Sequence, residues 1–161
     1  MLNNIDIELG IDYVERRNEY DHLAHKIVYS GPLDALFDYK YGPLEYRTID
    51  FDIENINSDD HQGTTVINLL DNSKWTRVTE HKHFLKTKCH KTILTKERPR
   101  DSTMVDNLYY PIITEENKIK HRGYLALANK YKIIIGGRIG SFYYADMNDS
   151  IKQGMDLANE I

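Results

Sequence analysis

The sequence is poor in the features that build stapled, membrane-bound or nucleic-acid-binding proteins. Cys89 is its single cysteine, so no disulfide can form within the chain. Its longest apolar runs, such as Ile133 to Ile135, fall far short of the roughly 20 residues that a membrane-spanning helix needs. No basic leader followed by an apolar stretch precedes them, which points to a cytoplasmic protein with no membrane partner. An excess of positive charge is missing too. With a net charge of −4 the chain lacks the strongly basic face of a dedicated nucleic-acid binder. Internal repeats and low-complexity segments are absent. The 161 residues suffice for one globular domain, and a chain of this size buries roughly 68 to 70% of its unfolded surface. Tyrosine, in contrast, is plentiful. Twelve tyrosines supply apolar rings with hydroxyls that donate or accept, a composition suited to lining a polar ligand cleft or to filling a core.

Along the chain, Ile5 to Leu9 alternates apolar and acidic residues and reads as a strand ending at Gly10. Met1 and Leu2 provide no capping segment ahead of it, so the chain reads as truncated, split or internally started. Val14 to Ala24 suits a short surface helix, Lys26 to Tyr29 a buried strand, and Leu33 to Tyr41 a two-turn helix between Pro32 and Gly42. Period-two alternation of Ile49, Phe51 and Ile53 marks the clearest strand. Thr64 to Leu70, Trp75 to Phe84 and Thr92 to Thr95 continue an antiparallel meander across short polar turns. Thr114, followed by Glu115 and Glu116, caps a helix to about Lys130, although Gly123 weakens it by about 1 kcal/mol relative to alanine. Tyr131 to Ile135 forms a buried strand and Gly136 to Gly140 a tight turn. Asp146 caps a last helix with Met147, Ile151, Met155 and Ala158 on one face.

Several side chains invite a chemical reading. His81 and His83 share a face of a predicted strand but lack a third ligand of suitable spacing, so surface hydrogen bonding is the better reading and no metal is expected. Cys89 has only His90 beside it and reads as incidental. In the segment from Tyr131 to Ile161, glycines let backbone approach a ligand and a helix N-terminus offers free N–H groups, but G-G-R-I-G is no dinucleotide fingerprint. Arg47 and Arg77, on adjacent predicted strands, are able to fork a diphosphate or simply pair with the acids of Asp50 to Glu54. Tyr109 and Tyr110 either add hydroxyls to such a site or pack.

Five segments occur together in order: KIVYSGPLDALFDYKYGPLEYR from Lys26 to Arg47, QGTTVINLLD from Gln62, WTRVTEHKHF from Trp75, YYPI from Tyr109 and GGRIGSFYYADM from Gly136. Together they closely resemble the C-terminal portion of UDP-galactopyranose mutase, a flavoenzyme that uses reduced FAD to interconvert UDP-galactopyranose and UDP-galactofuranose through an adduct at flavin N5. The resemblance implies that Arg77 supports catalysis beside the flavin and sugar. It places Arg47, Tyr109 or more specifically Tyr110, Tyr144 and Asp146 at the substrate, and Arg138, with Gly137 in the same turn, at FAD.

The family's N-terminal part has no counterpart here: its G-x-G-x-x-G flavin unit, a histidine-containing loop and the aromatic residues that grip uracil are missing. In ILTKERP, Lys96 stands where arginine is usual, keeping the charge and losing the fork. The expected fold class is therefore α+β. Residues 1–161 would form the C-terminal part of the enzyme, with 1–112 mostly antiparallel strands and 113–161 a helix, strand, glycine turn and helix completing the FAD domain. The implied partners are UDP-galactose and a complementing N-terminal FAD-binding chain, with a homo-oligomer left open. An isolated chain should lack mutase activity, leave Ile133 to Ile135 poorly covered and self-associate. The alternative is a non-catalytic remnant, or a module that binds a nucleotide sugar or partner.

Overall fold

A computed structural model describes residues 3–104 and 106–160, so the reading made at Met1 and Leu2 lies outside the described residues. Two compact units result, one comprising Met1–Leu44 with Tyr110–Ile161 and the other Glu45–Tyr109. Helices and an antiparallel sheet give the expected α+β class. Among the described residues no helix is long and apolar enough to cross a membrane.

The first unit opens irregularly. Ile5 to Leu9 forms no strand, since its alternation meets no partner strand and Ile5, Ile7 and Leu9 stay exposed. The surface helix contracts to one turn, α1 (Arg17–Tyr20). After β1 (Ile27–Tyr29) comes α2 (Leu33–Leu36), capped by Pro32. The expected second turn of α2 is missing because Asp38 and Tyr39 take φ values of 50° and 54°. There the buried Asp34 carboxylate turns the chain back, accepting from the Leu44 amide at 2.8 Å.

The second unit holds β2 (Tyr46–Ile56), β3 (Val66–Asn68), β4 (Arg77–Glu80), α3 (Lys82–Leu85) and β5 (Thr92–Asp101). The strands lie in the order β3-β4-β5-β2, all antiparallel. Two elements differ from the sequence reading. The strand expected from Trp75 to Phe84 stops at Glu80 and turns into α3, and β5 continues six residues beyond Thr95. That extension pairs with β2 by charge, Lys96, Arg98 and Arg100 facing the level of Asp52, Asp50 and Thr48. Pro99 is tolerated because β4 pairs only as far as Glu97, which leaves β5 an edge strand there.

Returning to the first unit, the chain forms β6 (Tyr110–Pro111), α4 (Glu115–Lys130), β7 (Ile133–Ile135), α5 (Gly137–Gly140) and α6 (Met147–Glu160). Thr114 caps α4 as expected, its hydroxyl accepting from the Asn117 amide at 3.1 Å. Gly123 has a packing reason: a Cβ there would sit 2.9 Å from the Tyr41 ring. β7 pairs parallel to β1 and packs on α4, so Ile133 is buried and Ile134 and Ile135 half-buried. Ile133 to Ile135 is therefore better covered than expected, and the open apolar surface lies instead on α6, at Met147, Ile151 and Met155.

The core of this unit centres on Phe37, stacked 6.3 Å from Tyr124 and 5.9 Å from Tyr131. Tyr124 has no exposed surface, and its hydroxyl donates to the Gly42 carbonyl at 2.8 Å and accepts from the Tyr41 amide at 3.0 Å. Tyr124→Phe removes both bonds and leaves the Tyr41 N–H and Gly42 carbonyl without this partner. A loss of about 1 to 3 kcal/mol is expected by denaturant titration, and an unchanged midpoint would refute this role for the hydroxyl.

Candidate functional site

Strand register sorts the second unit's candidates onto one face. Arg77 stands opposite Glu97, Glu97 opposite Phe51, and Arg47 opposite Asp101. Arg47, Phe51, Ile53, Arg77, Glu97 and Asn68 therefore share a face. It is an open face, on which Phe51 and Ile53 are exposed. Tyr109 joins it, with its amide donating to the Arg47 carbonyl at 3.0 Å and its ring 6.0 Å from that of Phe51, edge to face.

Neither arginine is fully engaged. Arg77 Nε donates to Asn68 Oδ1 at 3.2 Å and an Nη lies 3.5 Å from Glu97 Oε2, with about half of the side chain exposed. Arg47 pairs with Asp101, likewise with much of its side chain in solvent. Two strand spacings and four residues separate their Cα atoms by about 17 Å, so they suit two ends of an extended anion better than one phosphate.

The opposite face answers the competing explanation of these arginines. Its acids do form ion pairs, but with other cations: Glu54 with Lys96, and Asp50 with Arg98 at 2.6 Å and Arg100 at 2.9 Å. Arg100 also grips Asp106 at 2.7 Å. Arg98 and then Arg100 hold the Asp50 carboxyl below its usual range, and Arg100 with the Thr103 amide does the same for Asp106. Lys96 thus lies on the face away from Arg77.

The first unit's candidates gather near α5. Tyr110 and Tyr144 meet edge to face at 5.9 Å, and Tyr144 is exposed. The glycine turn, however, spends its amides internally. Gly136, Gly137 and Gly140 donate to the Tyr29 carbonyl, Gln153 Oε1 and the Ser30 carbonyl at 3.1, 2.7 and 3.2 Å. Gly137 has φ +73°, and a Cβ there would sit 2.9 Å from Ser30 Cβ. Its glycine serves close chain packing, where the sequence reading expects ligand approach. His121 supports the same turn from α4, its Nε2 3.0 Å from the Gly140 carbonyl. Burial pushes its imidazole pKa down, so it stays neutral at pH 7. At α6 the first-turn carboxylate of Asp149 accepts from the Asp146 amide at 3.4 Å, making that terminus acidic rather than anion-seeking. Arg138 is half-buried, and its guanidinium has no partner among the described residues.

The pattern that defines UDP-galactopyranose mutases matches residues 1–144. The chain belongs to the UDP-galactopyranose mutase family. It is 38% identical over 161 residues to the Klebsiella pneumoniae protein named "Probable UDP-galactopyranose mutase", covering 98% of this chain and 41% of that protein. It is 33% identical to the dTDP-fucopyranose mutase of Escherichia coli, covering 96% and 43%, and 30% identical to the UDP-galactopyranose mutase of Mycoplasma pneumoniae, covering 86% and 37%. The chain therefore spans about two fifths of the length of these mutases.

Sequence reasoning missed Glu97, Asn68, Asp101 and Phe51 as neighbours of the mutase-like arginines. A usable signal existed. Acids at every second position of β2 and bases at every second position from Lys96 predict the pairing that brings Glu97 opposite Phe51 and Asp101 opposite Arg47. His81 and His83 lie at α3 and not on a strand face; His81 Nε2 is 2.7 Å from Thr95 Oγ1. Among the described residues, three open surface depressions, the largest of these about 800 Å³ between residues 10–15 and Tyr39, include none of the proposed site residues.

Proposed function

We propose that this chain supplies the substrate-side half of a nucleotide-sugar mutase, interconverting UDP-galactopyranose and UDP-galactofuranose with reduced FAD. The observation that carries it is the open sheet face on which two incompletely paired arginines flank exposed Phe51 and half-buried Tyr109. Arg77 would stabilise diphosphate charge as the anomeric C–O bond breaks, and Arg47 would hold the far end of the nucleotide. Tyr110 and Tyr144 would donate hydroxyls to phosphate or sugar oxygens, with Asp146 accepting from a sugar hydroxyl. The isomerisation leaves atoms and oxidation state unchanged: the anomeric carbon releases one ring oxygen and recloses on another.

The residues present fit FAD in one respect. Arg138, half-buried and without a partner, would offer the flavin a cation, while Gly137 would act by shaping the turn against Ser30. When bound in its reduced form, that cofactor supplies the nucleophile for the anomeric carbon. The flavin-binding portion would come from residues outside this sequence, and the open apolar face of α6 favours such a partner.

Similarity to a dTDP-fucopyranose mutase makes nucleotide and sugar the variables to test. The chain would be mixed with the FAD-binding portion of a mutase, reduced with dithionite and given UDP-galactofuranose or the dTDP-fucose pair. Turnover in the mixture alone, faster with the UDP sugar, is expected. Faster dTDP-fucose turnover would replace the substrate, and nucleotide-sugar binding without turnover would favour a binding module.

A further inference from the structure

Around α3 lies a cluster that the proposed mutase chemistry leaves unused. Glu80 ends β4 with no accessible surface, and His83 follows three residues later. The His83 Nε2 atom is buried and has no hydrogen-bond partner among the described residues. It lies 3.3 Å from Asp60 Oδ1 and 3.4 Å from Glu80 Oε2. A charge-assisted N–H···O bond would close to about 2.7 to 2.9 Å. Two atoms that coordinate one tetrahedral zinc through bonds of about 2.0 to 2.1 Å sit about 3.3 Å apart. The spacing matches coordination better than hydrogen bonding.

The surroundings suit a cation. The Gln62 amide donates to Glu80 Oε2 at 2.9 Å and the His61 amide to Oε1 at 3.2 Å, fixing the direction of the carboxylate. The nearest ammonium, Lys82 Nζ, is occupied by the Asp59, Ser58 and Cys89 carbonyls, which steadies the turn that presents Asp60. All three ligand atoms fall within 4.8 Å of one another, and the exposed Asp60 carboxylate is held towards the cluster by the Gly63 amide, which donates to its Oδ1 at 2.7 Å.

We infer that Asp60, Glu80 and His83 form a three-ligand site for a divalent transition metal, zinc by its mixed nitrogen and oxygen donors, with a fourth position open to water. Its role is to clamp the turn carrying Asp60 to the start of α3. The site lies wholly within the second unit and stands independently of the mutase reading.

Cobalt(II) titration of the metal-free full chain tests it. One equivalent should produce the intense visible bands of tetrahedral cobalt, be displaced by zinc, and raise the thermal midpoint. His83→Gln and the surface variant Asp60→Asn should lose both the bands and the thermal shift while keeping the wild-type far-UV spectrum. His90→Gln, altering an exposed histidine 2.7 Å from Asp59, should retain both. A pale six-coordinate spectrum with the parent chain, or tetrahedral bands that persist in His83→Gln, would overturn the site.

Discussion

Arg77→Ala in the reconstituted mutase is expected to lower kcat by about 10² to 10³, the usual effect of removing one preorganised stabiliser of developing charge. Among the described residues only Asn68 Oδ1 at 3.2 Å and Glu97 at 3.5 Å hold the guanidinium, so most of its five donors remain for an anion. Arg77→Lys restores the charge without the fork and should recover part of the loss. Arg47→Ala should act differently, raising KM more than it lowers kcat, because Arg47 sits about 17 Å away by strand geometry and would grip a part of the substrate remote from bond breaking. Equal kcat in wild type and Arg77→Ala, with both chains folded, would remove Arg77 from the catalytic step.

Glu80→Ala is expected to destabilise the chain by about 3 kcal/mol, because it strips the acceptor from the His61 and Gln62 amides together. Burial pushes the Glu80 carboxyl up, but the donating Gln62 and His61 amides, with the Thr92 hydroxyl and His83 close by, outweigh it and bring the pKa down from 4.5 to about 2. A carboxyl depressed on folding stabilises fully above its unfolded value, and that contribution disappears as pH falls from about 4.5 towards 2. Asp34 works in the opposite direction. Burial raises its carboxyl against the Leu44 and Ala35 amides, so acidification relieves it. Circular dichroism against pH should therefore show a shallower acid loss in Glu80→Gln than in wild type. Identical acid limbs would exclude Glu80 as a source of the transition.

Periodicity located β2 and capping located α4, because each signal is local and survived folding. Direction was harder to read. The apolar residues of β2 imply a buried side, yet Phe51 and Ile53 point to solvent while Asp50, Asp52 and Glu54 meet the bases of β5. Apolar alternation at Ile5 to Leu9 produced no strand, since a ladder needs a neighbour and none is present among the described residues. The site depended on motif resemblance. Pattern alone left Arg47 and Arg77 pairing with Asp50 to Glu54, and only register shows those acids engaged on the other face. Gly137 illustrates a further limit, because a glycine required by Ser30 and one required by a ligand look alike in sequence.

The charged side of the second unit also has a thermodynamic consequence. A sheet whose Asp50, Asp52 and Glu54 side is matched by Lys96, Arg98 and Arg100 exposes comparatively little hydrocarbon to water when it opens. Polar exposure lowers the heat capacity of unfolding while apolar exposure raises it, so this unit should have a flatter temperature profile than the aromatic core around Phe37 and Tyr124. Its cohesion is then governed more by ionic strength than by temperature.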